Sequence, residues 1–304
     1  MSEMVHAIDN GYHKTKDSQH RIFTSAFTYH DTMLSDSNKI IIDGKEYFFG
    51  SGNITADVDK IDHIINKVGT LASIAMCGSN EYYLVVGLPI IQFKEKKDKL
   101  RNMVMEYNGS EVVYKGCTVN FRIKDVLVCP QGIGALYTMK NVSDDRILFD
   151  IGSYTINVAL VEFENGNPKI RKRDTWYNGV LGLYQNVIDE VNRQFDLTLE
   201  ASYAEKILST GVLLIDGNAM DLSILKPIIS DYLEPIFTKF KLNYEEHKTT
   251  TTILIGGGAN LLHAPFEKTI KNSMVIPDAQ FANVMGYYNY GLQKFNRYNL
   301  QKSY

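Results

Sequence analysis

Leu148-Phe149-Asp150-Ile151-Gly152-Ser153-Tyr154-Thr155-Ile156-Asn157-Val158-Ala159-Leu160 is the stretch on which the fold turns. An apolar run enters a carboxylate, passes through a glycine and small hydroxyl residues, and leaves as a second apolar run. The pattern predicts a β-hairpin with a tight loop at its tip. Glycine lets a backbone approach a ligand closely, and successive loop N–H groups can cradle an anion. Asp150, at the strand end, suits a hydrated metal rather than a phosphate. A plain bend, in which Asp and Gly only make the turn, is the other reading of this stretch alone.

The beginning of the chain repeats the arrangement. Val5-His6-Ala7-Ile8-Asp9-Asn10-Gly11-Tyr12-His13-Lys14-Thr15-Lys16 is again strand, Asp-x-Gly and polar loop, and the sequence holds no third Asp-x-Gly triplet. Two such triplets closing apolar strands half a chain apart predict a duplicated fold, with two facing hairpins gripping one polyphosphate.

Composition sets the class. The chain has 304 residues, 44% hydrophobic and 22% charged, with a net charge of −3. That is an ordinary globular balance for one or two domains, with no general attraction to nucleic acid or anionic membrane. No run reaches the roughly 18 apolar residues that span a bilayer. Met1-Ser2-Glu3 leads straight into a strand, so no signal peptide is expected. Cys77, Cys117 and Cys129 are scattered without metal-site spacing and fit a reducing cytoplasm.

Between the hairpins, Arg21–Phe27 reads as one strand, and Ile40–Gly50 as a hairpin turning at Asp43-Gly44. Ile61–Met76 reads as a helix and Tyr82–Pro89 as a buried strand. Phe93–Tyr107 is a lysine-rich helix, and Val112–Val128 a further hairpin. Pro130-Gln131-Gly132-Ile133-Gly134 opens a helix whose glycines call for close packing or a close ligand. After the central hairpin come the turn Asn165-Gly166-Asn167-Pro168 and a third strand, Ile170–Asp174. Helices over Leu181–Phe195, Leu199–Leu208, Ile224–Phe240 and Ala282–Tyr298 alternate with strands near Val212, Thr250 and Met274. Each half is therefore a meander followed by alternating helices and strands, an α/β fold with mixed sheets covered by helices.

Thr250–Ile255 runs into Gly256-Gly257-Gly258-Ala259-Asn260. It is neither a G-x-G-x-x-G turn nor a Walker A loop. Three glycines remove every Cβ where something flat or charged must approach, and a helix start at Ala259-Asn260 can aim N–H groups at a phosphate.

Four elements now stand in one order: Asp-x-Gly hairpin, Gln-containing helix start, second Asp-x-Gly hairpin, and strand–Gly-Gly-Gly–helix. The set resembles the actin-like ATPase superfamily over nearly the whole chain. Val85-Val86-Gly87-Leu88-Pro89, Ile253–Asn260 and Pro277-Asp278-Ala279-Gln280-Phe281-Ala282-Asn283-Val284-Met285-Gly286-Tyr287 are most similar to the ParM-type, plasmid-segregating bacterial actins. The resemblance implies an actin-like (ribonuclease H-like duplicated) two-lobed fold with a nucleotide cleft between mixed sheets. Its lobes would be 1–149 with a returning C-terminal helix at 286–304, and 150–285 with a reduced outer subdomain.

The same resemblance implies the site. Asp9 and Asp150 would hold Mg²⁺ through water. Asn10, Gly11 and Lys16 would lie at the terminal phosphates of ATP (or GTP), and Gln131 would position the attacking water. Gly152, Ser153 and Thr155 would line the second phosphate loop. Gly256, Gly257, Gly258 and Asn260 would border the nucleotide, and Glu205 would reach the ribose. The chemistry agrees, because phosphoryl transfer to water needs positioning and charge neutralisation more than covalent catalysis. A glutamine cannot act as a true base, so turnover would be slow. The implied protein is a cytoplasmic ATPase whose polar filament assembles with nucleotide and disassembles after hydrolysis, joined to plasmid DNA by a DNA-binding adaptor protein. No direct nucleic-acid or membrane contact is expected. Tyr12, His13 and Tyr154 depart from the small residues of relatives. A small-molecule kinase of the same superfamily, or a non-catalytic nucleotide sensor, are the alternatives.

Overall fold

The computed structural model describes residues 3–30, 38–52, 63–139, 143–164 and 167–301. The chain forms two compact units, Met1–Val142 with Phe281–Tyr304, and Ser143–Gln280.

The first unit contains β1 (Glu3–Asn10), β2 (Lys14–Asp17), β3 (Ile22–Thr24), β4 (Phe27–Thr28), β5 (Lys39–Ile42) and β6 (Lys45–Phe49). These are followed by α1 (Ile64–Cys77), β7 (Glu81–Leu88), α2 (Phe93–Glu106), β8 (Val112–Tyr114), β9 (Cys117–Thr118) and β10 (Arg122–Pro130). Its main sheet runs β10-β7-β1-β2-β3. β10, β7 and β1 are parallel, while β2 and β3 fold back antiparallel. Tyr82, Leu84, Val85 and Val86 of β7 are all buried, as a strand covered on both faces requires. Val68, Leu71, Ala72 and Ile74 of α1 pack against one face together with Ile8, Leu84 and Val86.

A second, antiparallel sheet runs β4-β6-β5-β8-β9. Its β5–β6 turn has Asp43 at φ 51° and Gly44 at φ 77°, the left-handed pair that matches hairpin twist.

Two sequence expectations change here. Arg21–Phe27 is not one strand, because its halves enter different sheets as β3 and β4. Nor is Val112–Val128 one hairpin. β8 and β9 close a short ribbon, whereas β10 joins β7 in parallel and buries Ile123, Val126 and Cys129. Apolar residues on that scale need a covered sheet, which an exposed two-stranded ribbon does not offer.

The second unit contains β11 (Arg146–Ile151), β12 (Ile156–Glu164), β13 (Asn167–Trp176), α3 (Val180–Phe195) and α4 (Ser202–Thr210). Then come β14 (Leu214–Ile215), β15 (Asn218–Ala219), α5 (Leu225–Asn243), β16 (Thr251–Ile255), α6 (Ala259–Thr269) and β17 (Ser273–Val275). Its main sheet runs β17-β16-β11-β12-β13. β12 and β13 are antiparallel neighbours, and β16 and β17 run parallel to β11. This is the connectivity of the first unit: an opening strand that continues as an antiparallel three-strand meander on one side and has two parallel strands on the other. The duplication read from the two Asp-x-Gly triplets is thus a duplication of whole sheets. At the centre of the second core Phe149 meets Phe240 and Phe266 edge to face, and those two rings are tilted against each other.

Finally, α7 (Ala282–Gln301) returns to the first unit, where Val284, Tyr287 and Phe295 pack on Ala7, Val85 and Cys129. The compact units divide before β11 rather than at 149/150, because all six residues of β11 pair with β12. Residues 281–285 likewise go with the first unit. Ile61 and the Asn165-Gly166 turn lie outside the described residues.

Candidate functional site

In the first unit the candidate residues gather at the carboxyl ends of the parallel strands, the edge where open α/β sheets bind ligands. Asp9 is the penultimate residue of β1 and lies directly opposite Lys16 of β2, an opposite-charge cross-strand pair. The Asp9 side chain is largely buried, at 5% exposed. Its Oδ1 accepts a hydrogen bond from Gln131 Nε2 at 3.0 Å. Gln131 follows the last residue of β10, and its backbone N–H donates to Leu88 O at the end of β7. Three neighbouring strand ends therefore converge on one carboxylate–carboxamide pair.

The loop after Asp9 is closed by Gly11 N–H, which donates to both Asp9 O and Lys14 O at 3.0 Å. Asn10 Nδ2 donates to Thr70 Oγ1, and its Oδ1 accepts from Thr15 Oγ1. The Asn10 carboxamide thus ties the loop to α1, a role its position in the motif does not reveal. Gln131 is followed by the 3₁₀ turn Ile133–Thr138 instead of an α-helix.

In the second unit Asp150, the penultimate residue of β11, lies opposite Ile255 of β16, with 6% of its surface exposed. The three glycines that follow differ from one another. Gly256 has φ 88°, and a Cβ there would lie 2.5 Å from both Asp150 Oδ1 and Ile151 O. Gly258 donates its N–H to Ile151 O and precedes α6, and a Cβ on it would meet Ile151 and Val180 side chains. Gly257 is exposed, and a Cβ there would have nothing within 4 Å. Two glycines serve packing; the middle one leaves open space.

The loop Gly152–Thr155 is shaped by α3. Gly152 N–H donates to Thr155 O at 2.9 Å, and the carbonyls of Gly152, Ser153 and Tyr154 accept from Val180, Leu181 and Gly179 N–H. No peptide bond among the described residues is cis. A trans peptide points its C=O and N–H in opposite directions. The N–H groups of Ser153, Tyr154 and Thr155 therefore point away from α3. Thr155 is buried and Ser153 half-buried. Asn260 is exposed in the first turn of α6, where unpaired helix N–H groups begin. Glu205 is exposed in the first turn of α4. Burial raises the Tyr184 hydroxyl pKa, and the Glu205 charge adds to the rise.

Among the described residues no group of three or more His, Cys, Asp or Glu forms a metal cage. Asp9 and Asp150 are single carboxylates at strand ends. Such hard oxygen donors fit Mg²⁺, which keeps most of its waters. Motif reading missed the α3 N–H groups that set the Gly152–Thr155 loop; Asn178-Gly179 before the helix was their sequence signal. It also missed the polar anchor that α7 gives the Gln131 turn.

Two family models match the chain. Residues 7–134 match the actin-like proteins N-terminal domain, and residues 148–268 match the archaeal actin homologue MreB-like C-terminal domain. An archaeal actin homolog of Thermoplasma acidophilum is 26% identical over 208 residues, 65% of this chain; the chain spans 63% of that relative's length. A 15-stranded ParM filament structure from Clostridium botulinum is similar at TM-score 0.78 and 19% identity, covering 96% of this chain and all of that one. An archaeal actin homolog in complex with ADP is similar at TM-score 0.75 and 21% identity, covering 95% and 99%. With an actin-like model over the first unit, a second over most of the other, and one sheet topology in both, the chain belongs to the actin-like ATPase superfamily and has a ParM-like fold.

Proposed function

We propose that this chain is a slow, Mg²⁺-dependent ATPase or GTPase that assembles into a polar filament with nucleotide bound and disassembles after hydrolysis. The observation that carries the reading is the Gly152–Thr155 loop, whose carbonyls are tied to the start of α3 so that its N–H groups point the other way, and which follows the buried Asp150 in the chain. Those donors suit phosphate oxygens, and Asp9 and Asp150 suit the waters of the cation. When bound, Mg²⁺ neutralises charge on the polyphosphate. Lys16 adds positive charge beside Asp9. Gln131, fixed on Asp9, orients water without taking its proton. The ADP complex of one similar structure and the filament of another support the nucleotide and assembly parts of the reading.

On this reading the filament moves plasmid or similar DNA in the cytoplasm through a DNA-binding adaptor, since the chain's net charge of −3 gives no general attraction to DNA. No helix among the described residues is long and apolar enough to cross a membrane.

The test is right-angle light scattering at micromolar protein with Mg-ATP and Mg-GTP. Scattering should rise with one of them and decay as phosphate is released. Asp150→Ala should weaken Mg-nucleotide binding at least tenfold, read with a fluorescent analogue. Flat scattering with both nucleotides removes the filament, and unchanged affinity in Asp150→Ala removes the site. Phosphate transfer to an added sugar without scattering would make the chain a kinase instead.

A further inference from the structure

The segment Phe281–Tyr287 carries the family resemblance but no role in the site as described so far. Its Asn283, the second residue of α7, is buried at 8% exposure. Asn283 Oδ1 accepts a hydrogen bond from Gly132 N–H at 2.9 Å, across 151 residues of sequence. Gly132 is the residue after Gln131, and its φ of 84° and ψ of −52° form a γ-turn of positive φ, which glycine adopts freely because it has no Cβ. Glycine has many other conformations open to it, so its neighbours must fix the turn. Here they do so on both sides: Leu88 O takes the Gln131 N–H, and Asn283 takes the next one. The side chain between them is thereby aimed at Asp9.

We propose that Asn283 is a positioning residue for Gln131, holding the Gln131-Gly132 turn so that the carboxamide faces Asp9 and the water to be activated. This rests on the hydrolytic reading of Gln131 given above. Asn283 touches neither substrate nor cation in this assignment. It acts through the backbone of its neighbour.

The rest of the α7 junction separates this role from mere docking. Tyr287 is fully buried, with its ring against Gly134, and Gly286 packs so closely on the Gly134 carbonyl that no side chain fits between them. Asn289 Nδ2 donates to Tyr137 O at 2.9 Å. The helix is thus anchored by these contacts, and removing the Asn283 oxygen leaves them in place.

The experiment is a double-mutant cycle on the full chain, following phosphate release with ATP or GTP. Asn283→Leu should lower the maximal rate on the order of tenfold, the scale of a small misplacement of a reacting group, with nucleotide affinity unchanged. In a Gln131→Ala background the same change should have no further effect. Asn283→Asp, which keeps an acceptor oxygen, should recover most of the rate. An unchanged rate in Asn283→Leu, or an equal loss in both backgrounds, overturns the proposal. If Gln131→Ala alone leaves hydrolysis intact, the reading of Gln131 fails instead, and the two failures are distinct. Amide exchange on the unmodified protein needs no variant: the Gly132 N–H should be protected. Free exchange at that position overturns the hydrogen bond on which the assignment stands.

Discussion

The Gly256-Gly257-Gly258 triplet separates folding from binding within three residues. Alanine at Gly256 must adopt a φ near 88° and place its Cβ 2.5 Å from the Asp150 carboxylate. The left-handed conformation alone costs about 1–2 kcal/mol, and displacing a buried carboxylate adds to it. Gly256→Ala is expected to lower stability by more than about 2 kcal/mol, measured by urea unfolding. Gly257→Ala meets nothing and should stay within about 0.5 kcal/mol of the parent. If the nucleotide passes over this glycine, the same substitution weakens nucleotide binding severalfold with folding intact. An unchanged affinity would withdraw Gly257 from the binding set.

At the scale of elements, β1, β2 and α1 are joined by a buried polar network that motif reading did not anticipate. His6 of β1 is fully buried, its Nε2 at 2.8 Å from Ser73 Oγ of α1 and its Nδ1 at 3.0 Å from Ser18 Oγ. Ser73 Oγ donates to Asp17 Oδ2, which also accepts from Arg21 Nε. Burial lowers the His6 pKa from 6.5 to about 4; Asp17 opposes the shift and Arg21 adds to it. The unfolded chain therefore binds a proton at a pH where the folded chain does not. The contribution of His6 is complete above pH 6.5 and is lost as pH falls from 6.5 toward 4. This one group should make the protein about 2 kcal/mol less stable at pH 5 than at pH 7. Denaturant titrations at both pH values, on the parent and on His6→Gln, test it; an equal pH dependence in the two proteins refutes it.

On the scale of the whole molecule, the connectivity predicts unequal independence of the two units. Ser143–Gln280 is continuous and contains its complete sheet and aromatic core. Expressed alone, it should unfold cooperatively by circular dichroism. Residues 1–142 alone lack α7 and so lose Val284, Tyr287 and Phe295 from the core around Ala7, Val85 and Cys129. Removing large buried side chains costs roughly 2–5 kcal/mol each, which together reach the 5–15 kcal/mol stability of a typical domain. The fragment should not fold, and supplying 281–304 through a linker should restore it. A cooperative transition in 1–142 alone would contradict this account of α7.

The amino-acid order was enough to locate the strand-end aspartates, the hairpins behind them, the glycine-rich exit of β16 and the repeat of one scheme in both halves. Those features are local: alternating or continuous apolar runs, turn residues and strand breakers act on neighbours a few residues away. Tertiary contacts decided what local pattern does not carry. They sent Ile22–Thr24 and Phe27–Thr28 to different sheets, placed β10 beside β7, gave Asn10 to α1, and brought Asn283 across 151 residues to the turn behind Gln131. Each is a hydrogen bond or a buried surface between distant segments, satisfied only once the sheet has closed around them, so no window of sequence contains it.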